Sequence, residues 1–174
     1  MTPADPDGVV ARWRIDAWTV ADLLAAHAKI LDELRTRRII RTSNSPLSDY
    51  AELLFCRAFG WEREQNAAKG HDATDAQGTR FQIKARRLTR HNASRQLSAI
   101  RGLEGSPFDH LAGVLVDESF GIVRAALIPR AIVHANATEV PYTNSWRFLL
   151  RDHIWSIPGV CDVTPELRNA ASNL

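Results

Sequence analysis

Cysteine is nearly missing from this chain of 174 residues: Cys56 and Cys161 are the only two. Two cysteines make no disulfide framework, and neither stands at metal-ligand spacing. Cys56 lies in an apolar helical run, where buried free thiols are common, and the expectation is a reducing, cytoplasmic setting. Long apolar runs are missing too. None is long enough to span a membrane, and the N-terminus carries early acids in place of an apolar signal region, so no membrane partner is expected. The sequence has no internal repeat, low-complexity run, phosphate-binding glycine loop, zinc-ligand cluster or nucleophile elbow. Lysine is scarce, with three Lys against nineteen Arg. Net charge is only +2, so partners are argued from where the charge lies, not from its sum. A domain of this length buries roughly 70% of its unfolded surface and needs no staple to fold.

What is present is organised around Gly70 to Arg87. Asp75 to Gly78 reads as a turn, with Asp in the first place of a type I turn and Gly in the left-handed place after it. A three-residue loop closes the hairpin through a glycine bulge. Under that register Ala73 opposes Phe81 and Asp72 opposes Gln82. Opposed residues share a face of the sheet with Cβ atoms roughly 5 Å apart. Lys84, two residues beyond Gln82, joins that face, while Phe81 and Ile83 point into a core. A carboxylate, an amide oxygen and an ammonium therefore converge. That set suits phosphodiester hydrolysis. Asp72 and Gln82 offer hard oxygen ligands to Mg²⁺ or Mn²⁺, and Lys84 stabilises charge on the attacking water or the pentavalent phosphate.

The flanking chain supplies the rest. Thr19, with Asp22 three residues on, caps a helix whose apolar positions are Val20, Leu23, Leu24, His27, Leu31 and Leu34. His27 reads as a core-edge histidine. Arg35, Arg37, Arg38 and Arg41 at its end suit the helix dipole or contact phosphate. Ahead of this helix, residues 1–7 read as a loose tail, and Trp13, Ile15 and Trp18 as a docking segment. Ser45-Pro46 opens a second helix with a stripe from Leu47 to Phe59, closed by Gly60. Glu52 lies on its flank. Trp61 to Gln65 is expected as a first strand, and Asn66 to His71 as a loop that carries Lys69, a candidate phosphate contact. From Thr79 to Leu103 there are seven basic residues and no acid, an electrostatic footprint for a polyanion. Arg86, Arg87, Arg90 and Arg95 are its candidate DNA contacts. The spacing predicts a short crossover helix over 95–101, strands over 108–117 and 122–128, a short helix from Arg130, a strand over 144–151, and a last helix capped by Thr164. The apolar run Leu111 to Val116 is expected buried on both faces and parallel to the Gln82–Lys84 strand.

Asp72 followed by Gln82-Ile83-Lys84 resembles the PD-(D/E)XK nuclease superfamily, with Gln82 where that superfamily usually has Asp or Glu and His71 where it has Pro. From about Ser45 onward the chain is similar to an uncharacterised bacterial family within it, one with a Gln-Ile-Lys variant motif. The resemblance implies an α/β fold: a mixed β-sheet flanked by helices, a restriction-endonuclease-like core over 45–174 and an N-terminal helical extension over 1–44. It implies that Glu52 reaches the metal site, that the substrate is DNA, and that a homodimer is compatible with two-strand cleavage. The expected activity is that of a Mg²⁺-dependent endodeoxyribonuclease. The alternatives are a DNA-binding module that has lost cleavage, which Gln82 explains directly, and an interaction subunit working through its Trp-containing N-terminal segment.

Overall fold

The computed structural model describes residues 14–42, 45–64 and 70–174. The tail over 1–7, Trp13 and Lys69 lie outside the described residues. The chain divides into two compact units, Met1–Pro46 and Leu47–Leu174.

In the first unit a 3₁₀ turn, Ile15–Ala17, precedes helix α1, Val20–Thr36. The capping box read from Thr19 and Asp22 is in place: Thr19 Oγ1 accepts the Asp22 N–H at 3.2 Å, and Asp22 Oδ2 accepts the Thr19 N–H at 3.1 Å. These bonds satisfy two donors that a helix start leaves orphaned. Arg37 pairs with Glu33 at 2.7 Å, and Arg35 with Asp32, one turn apart. None of the residues of α1 is buried, and His27, expected at a core edge, is exposed.

The second unit is mixed α/β. Helix α2, Leu47–Phe59, ends at Gly60, whose φ of 68° is the left-handed stop that glycine adopts without strain. The strands that follow are β1 (Glu62–Arg63), β2 (Ala73–Thr74), β3 (Arg80–Arg87), β4 (Ile100–Arg101), β5 (His110–Val116) and β6 (Ile122–Pro129). Helix α3 (Arg130–Asn136), β7 (Thr138–Val140), β8 (Ser145–Arg147), β9 (Cys161–Asp162) and helix α4 (Thr164–Ser172) complete it. Six strands form one sheet in the order β1-β2-β3-β5-β6-β9, and β4-β8-β7 form a second. In the large sheet β3 and β5 run parallel; the other neighbours are antiparallel.

Alternation along β3 divides the core. Phe81 and Ile83 face α2 and α4, with Ala112, Val114 and Val116 of β5 beside them. Trp61 stacks on Phe81 with centroids 3.6 Å apart and on Phe55 at 5.8 Å. Leu111 and Leu115 face the other way, into a second cluster with Leu97, Ile100, Phe148 and Leu150. Strand β5 is thus buried on both faces, as its unbroken apolar run predicts.

Three local expectations are corrected. Residues 95–101 form no helix. Leu97 N–H bonds Phe148 O and Leu150 N–H bonds Arg95 O, both at 3.0 Å, and β4 pairs with β8. Backbone groups of this stretch are taken by the distant segment, and Asn92 and Ser94 turn the preceding backbone through their own side chains. The last helix is not capped by Thr164: its Oγ1 accepts Ala125 N–H at 2.9 Å and donates to Asp162 Oδ1, which ties α4 to the sheet. Among the described residues the strand expected over 61–65 comprises Glu62–Arg63, Gln65 lying outside them, and the one expected over 144–151 shrinks to β8, paired to β7.

Candidate active site

The hairpin has the register the turn predicts. Asp75 Oδ1 accepts the N–H groups of Gln77 and Thr79 at 2.9 and 2.8 Å, and Gly78 sits at φ 80°. Ala73 pairs with Phe81 and Thr74 with Arg80. One residue before β2, Asp72 donates its N–H to Phe81 O at 2.8 Å. Its carboxylate then reaches over β3: Oδ2 accepts the Ile83 N–H at 2.7 Å and a hydrogen bond from Gln82 Nε2. Gly70 sets the approach of this residue. It has φ 76°, and a Cβ there would lie 2.6 Å from Pro107 Cβ, so a side chain fits only if Pro107 shifts.

Asp72 and Gln82 are therefore brought together. Gln82 is buried, and Lys84 is half-buried two residues along the same face. In register with Lys84, on β5, is Gly113, where a Cβ would lie 3.0 Å from Leu150 Cδ2. The missing side chain lets Leu150 and Leu97 close over the sheet beside the lysine. Among the described residues no carboxylate pairs with Lys84 and no donor meets Asp72 Oδ1.

The donor set fits a Mg²⁺ ion in part. Mg²⁺ is commonly held by one or two carboxylates plus substrate phosphates and water, and Asp72 Oδ1 faces no donor among the described residues. Gln82 presents its amide nitrogen to Asp72; a half-turn of the terminal torsion exchanges that nitrogen for the oxygen a metal needs. Among the described residues, no group of three His, Cys, Asp or Glu side chains is placed to hold a metal.

Glu52 is engaged elsewhere. Its Oε2 accepts Arg63 Nε at 2.7 Å, and the same guanidinium reaches Asp49 Oδ1 at 2.8 Å. Arg63 pairs in register with Ala73, on the helix-bearing side of the sheet. Asp72, one residue along, faces the other side. Among the described residues no hydrogen bond joins Glu52 to Asp72 or Gln82.

The basic residues sort by what holds them. Arg86 Nε donates to Ser94 O at 3.0 Å, and Arg86 pairs with no acid among the described residues. Arg87 donates to Glu118 O, and its guanidinium lies 4.6 Å over the Phe120 ring. The backbone N–H of Arg90 bonds Glu118 Oε1, and its Nε reaches His91. Arg95 pairs with Asp152 at 2.6 Å and lowers that carboxylate below its ordinary range. Two arginines outside the sequence-based candidates stand out. Arg101 pairs with Ser145, so it shares a face of the small sheet with Arg147. The opposite face carries Ile100, fully buried. Arg101 and Arg147 are exposed, and no acid pairs with either among the described residues. The expected helix over 95–101 hid this pairing; the alternation Ser145-Trp146-Arg147 was the available signal.

Asp109 is a clamp outside the site. Hydrogen bonds from Arg80 side chain and backbone hold its carboxyl down to about 2, with both partners 37–41% exposed. It ties the starts of β3 and β5 together. No helix among the described residues is long and apolar enough to cross a membrane. Compared with protein-family models and with curated proteins, the chain matches none.

Proposed function

We propose that this chain is a metal-dependent DNA endonuclease that hydrolyses phosphodiester bonds at Asp72, Gln82 and Lys84. The observation that carries the reading is the contact of Asp72 with Gln82 across the hairpin, with Lys84 next on the same face. The order of elements also supports a restriction-endonuclease-like core: a helix first, then the hairpin, then a buried strand parallel to β3.

In this reading Asp72, with the Gln82 oxygen turned outward, holds Mg²⁺ or Mn²⁺. The bound ion supplies charge that polarises the phosphate and lowers the pKa of a coordinated water. Lys84 places an ammonium, unopposed by any described carboxylate, where negative charge grows during attack. It is half-buried, and its register partner on β5 is Gly113. Arg86, Arg101 and Arg147 keep guanidinium charge available for phosphates. Glu52 would join the metal only by leaving Arg63.

The second reading is a DNA-binding module of the same fold without cleavage. The Gln82–Asp72 bond favours it, because it partners one oxygen of the acid without a cation.

The test is nicking of supercoiled plasmid with Mg²⁺ or Mn²⁺, beside DNA binding. Lys84→Ala should lower the cleavage rate by about 10²–10³-fold and leave binding intact. Cleavage unchanged in Lys84→Ala refutes this hairpin as the active site. An inactive parent that binds DNA, and that Gln82→Glu converts into a nuclease, decides for the second reading.

A further inference from the structure

Helix α1 presents large apolar side chains to solvent: Val20 is 74% exposed and Leu24 65%, with Leu23 and Ile30 exposed beside them. None of its residues is buried, and of the large side chains on its apolar face only Leu31 and Leu34 are partly covered. The arrangement of that face identifies what covers it.

The stripe consists of Val20, Leu23, Leu24, His27, Ile30, Leu31 and Leu34, which fall on one side at 100° per residue. The spacings are 3, 1, 3, 3, 1 and 3 residues, the same read from either end, with His27 at the centre. A second α1 laid antiparallel therefore meets an identical surface. Val20 falls opposite Leu34 of the second copy, Leu23 opposite Leu31, Leu24 opposite Ile30, and His27 opposite its own counterpart. Such self-complementarity is the requirement of a two-fold interface, in which residue i meets j and j meets i.

Charge sets the direction. Asp22, Lys29, Asp32 and Glu33 lie on the far side of the helix, so no like-charge pair faces across the stripe. Beyond the helix ends, Asp16 and Arg38 are symmetric about His27. Both are exposed, and neither is in an ion pair among the described residues. An antiparallel pair sets Asp16 of each copy toward Arg38 of the other. A parallel pair would gather Arg35, Arg37, Arg38 and Arg41 of both copies at one end. We propose that the apolar face of α1 is a homodimer interface in which two copies of this helix pack antiparallel about an axis at His27. This inference does not depend on the nuclease reading.

Sedimentation velocity of the full chain over a range of concentrations tests it. The parent should pass from monomer to dimer as concentration rises. Leu24→Asp, at a position already exposed in the monomer, should weaken association by about tenfold or more, the cost of one well-packed interface residue. His27→Leu should strengthen it. Asp16→Arg and Arg38→Asp should each weaken it, and the double swap should restore it; this rescue guards against variants that merely misfold. A parent monomeric at every concentration overturns the proposal, and the stripe is then covered within the chain or by another protein. A dimer indifferent to Leu24→Asp overturns it as well, since the interface is then elsewhere.

Discussion

Replacing Asp72 by Asn and by Ala separates what the carboxylate does for the hairpin from what it does for a metal. Asp72 Oδ2 accepts two donors, the Ile83 N–H at 2.7 Å and the amide of buried Gln82. Alanine leaves both without an acceptor. An unsatisfied buried donor costs about 1–3 kcal/mol; with some relaxation at this short, edge-proximal pairing, the two together predict a loss of about 2–4 kcal/mol. Asparagine keeps an oxygen in the same place and loses only the charge assistance, about 1 kcal/mol. Urea unfolding followed by far-ultraviolet circular dichroism gives the stability order parent, Asn, Ala. Hydrogen exchange at the Ile83 amide gives the local measure, with protection kept in Asn and absent in Ala. Both variants should lose Mn²⁺ affinity in calorimetry. If Ala is no less stable than Asn, and Ile83 stays protected in both, the carboxylate does not hold the hairpin. Metal affinity unchanged in the folded Asn variant removes Asp72 as a ligand.

Other expectations follow from the same structure. Arg101→Ala with Arg147→Ala should reduce the slope of log DNA affinity against log salt by about 0.9 for each phosphate no longer neutralised. Arg87→Ala, whose charge is stacked on Phe120, should reduce it by less; equal slopes in a filter-binding titration refute the assignment. Gly70→Ala combines a left-handed φ with a 2.6 Å approach to Pro107, so it should cost about 2 kcal/mol or more in denaturant unfolding and lower metal affinity through Asp72. The Asp109 carboxyl is held at about 2 by Arg80. Its contribution is full above the ordinary carboxylate range and is lost as pH falls through that range toward 2. Solvent screening limits it to about 1 kcal/mol or less, so Asp109→Asn should be slightly less stable than the parent at pH 6, with the difference shrinking as pH falls toward 2 and gone below it.

The parts legible in the sequence were those fixed by near neighbours. The Asp75–Gly78 turn sets the register that places Asp72 against Gln82. Thr19 finds its capping partner three residues away. The run Leu111–Val116 shows two-sided burial by composition alone. What was not legible depends on partners far along the chain. Residues 95–101 look helical until Phe148 and Leu150 take their backbone bonds. Arg95 looks like a free phosphate ligand until Asp152, 57 residues on, takes it. Glu52 looks like a flank acid open to a metal until the strand after its helix brings Arg63 between it and Asp49. Local pattern carries no term for such competition, and in each case the distant partner won.

The hydrogen bond between Gln82 and Asp72 also works as a built-in competitor for any cation at this hairpin. Two carboxylates at these positions would repel one another until an ion arrived, and the hairpin would then depend on the ion for its stability. With an amide at position 82 the hairpin closes by itself, and an incoming ion must displace that bond and turn the amide. A hydrogen bond to a charged group is worth about 1.5–3 kcal/mol, which corresponds to an affinity lower by roughly one to two powers of ten. On the nuclease reading, the residue that lets the hairpin close without a metal also raises the metal concentration at which the site fills.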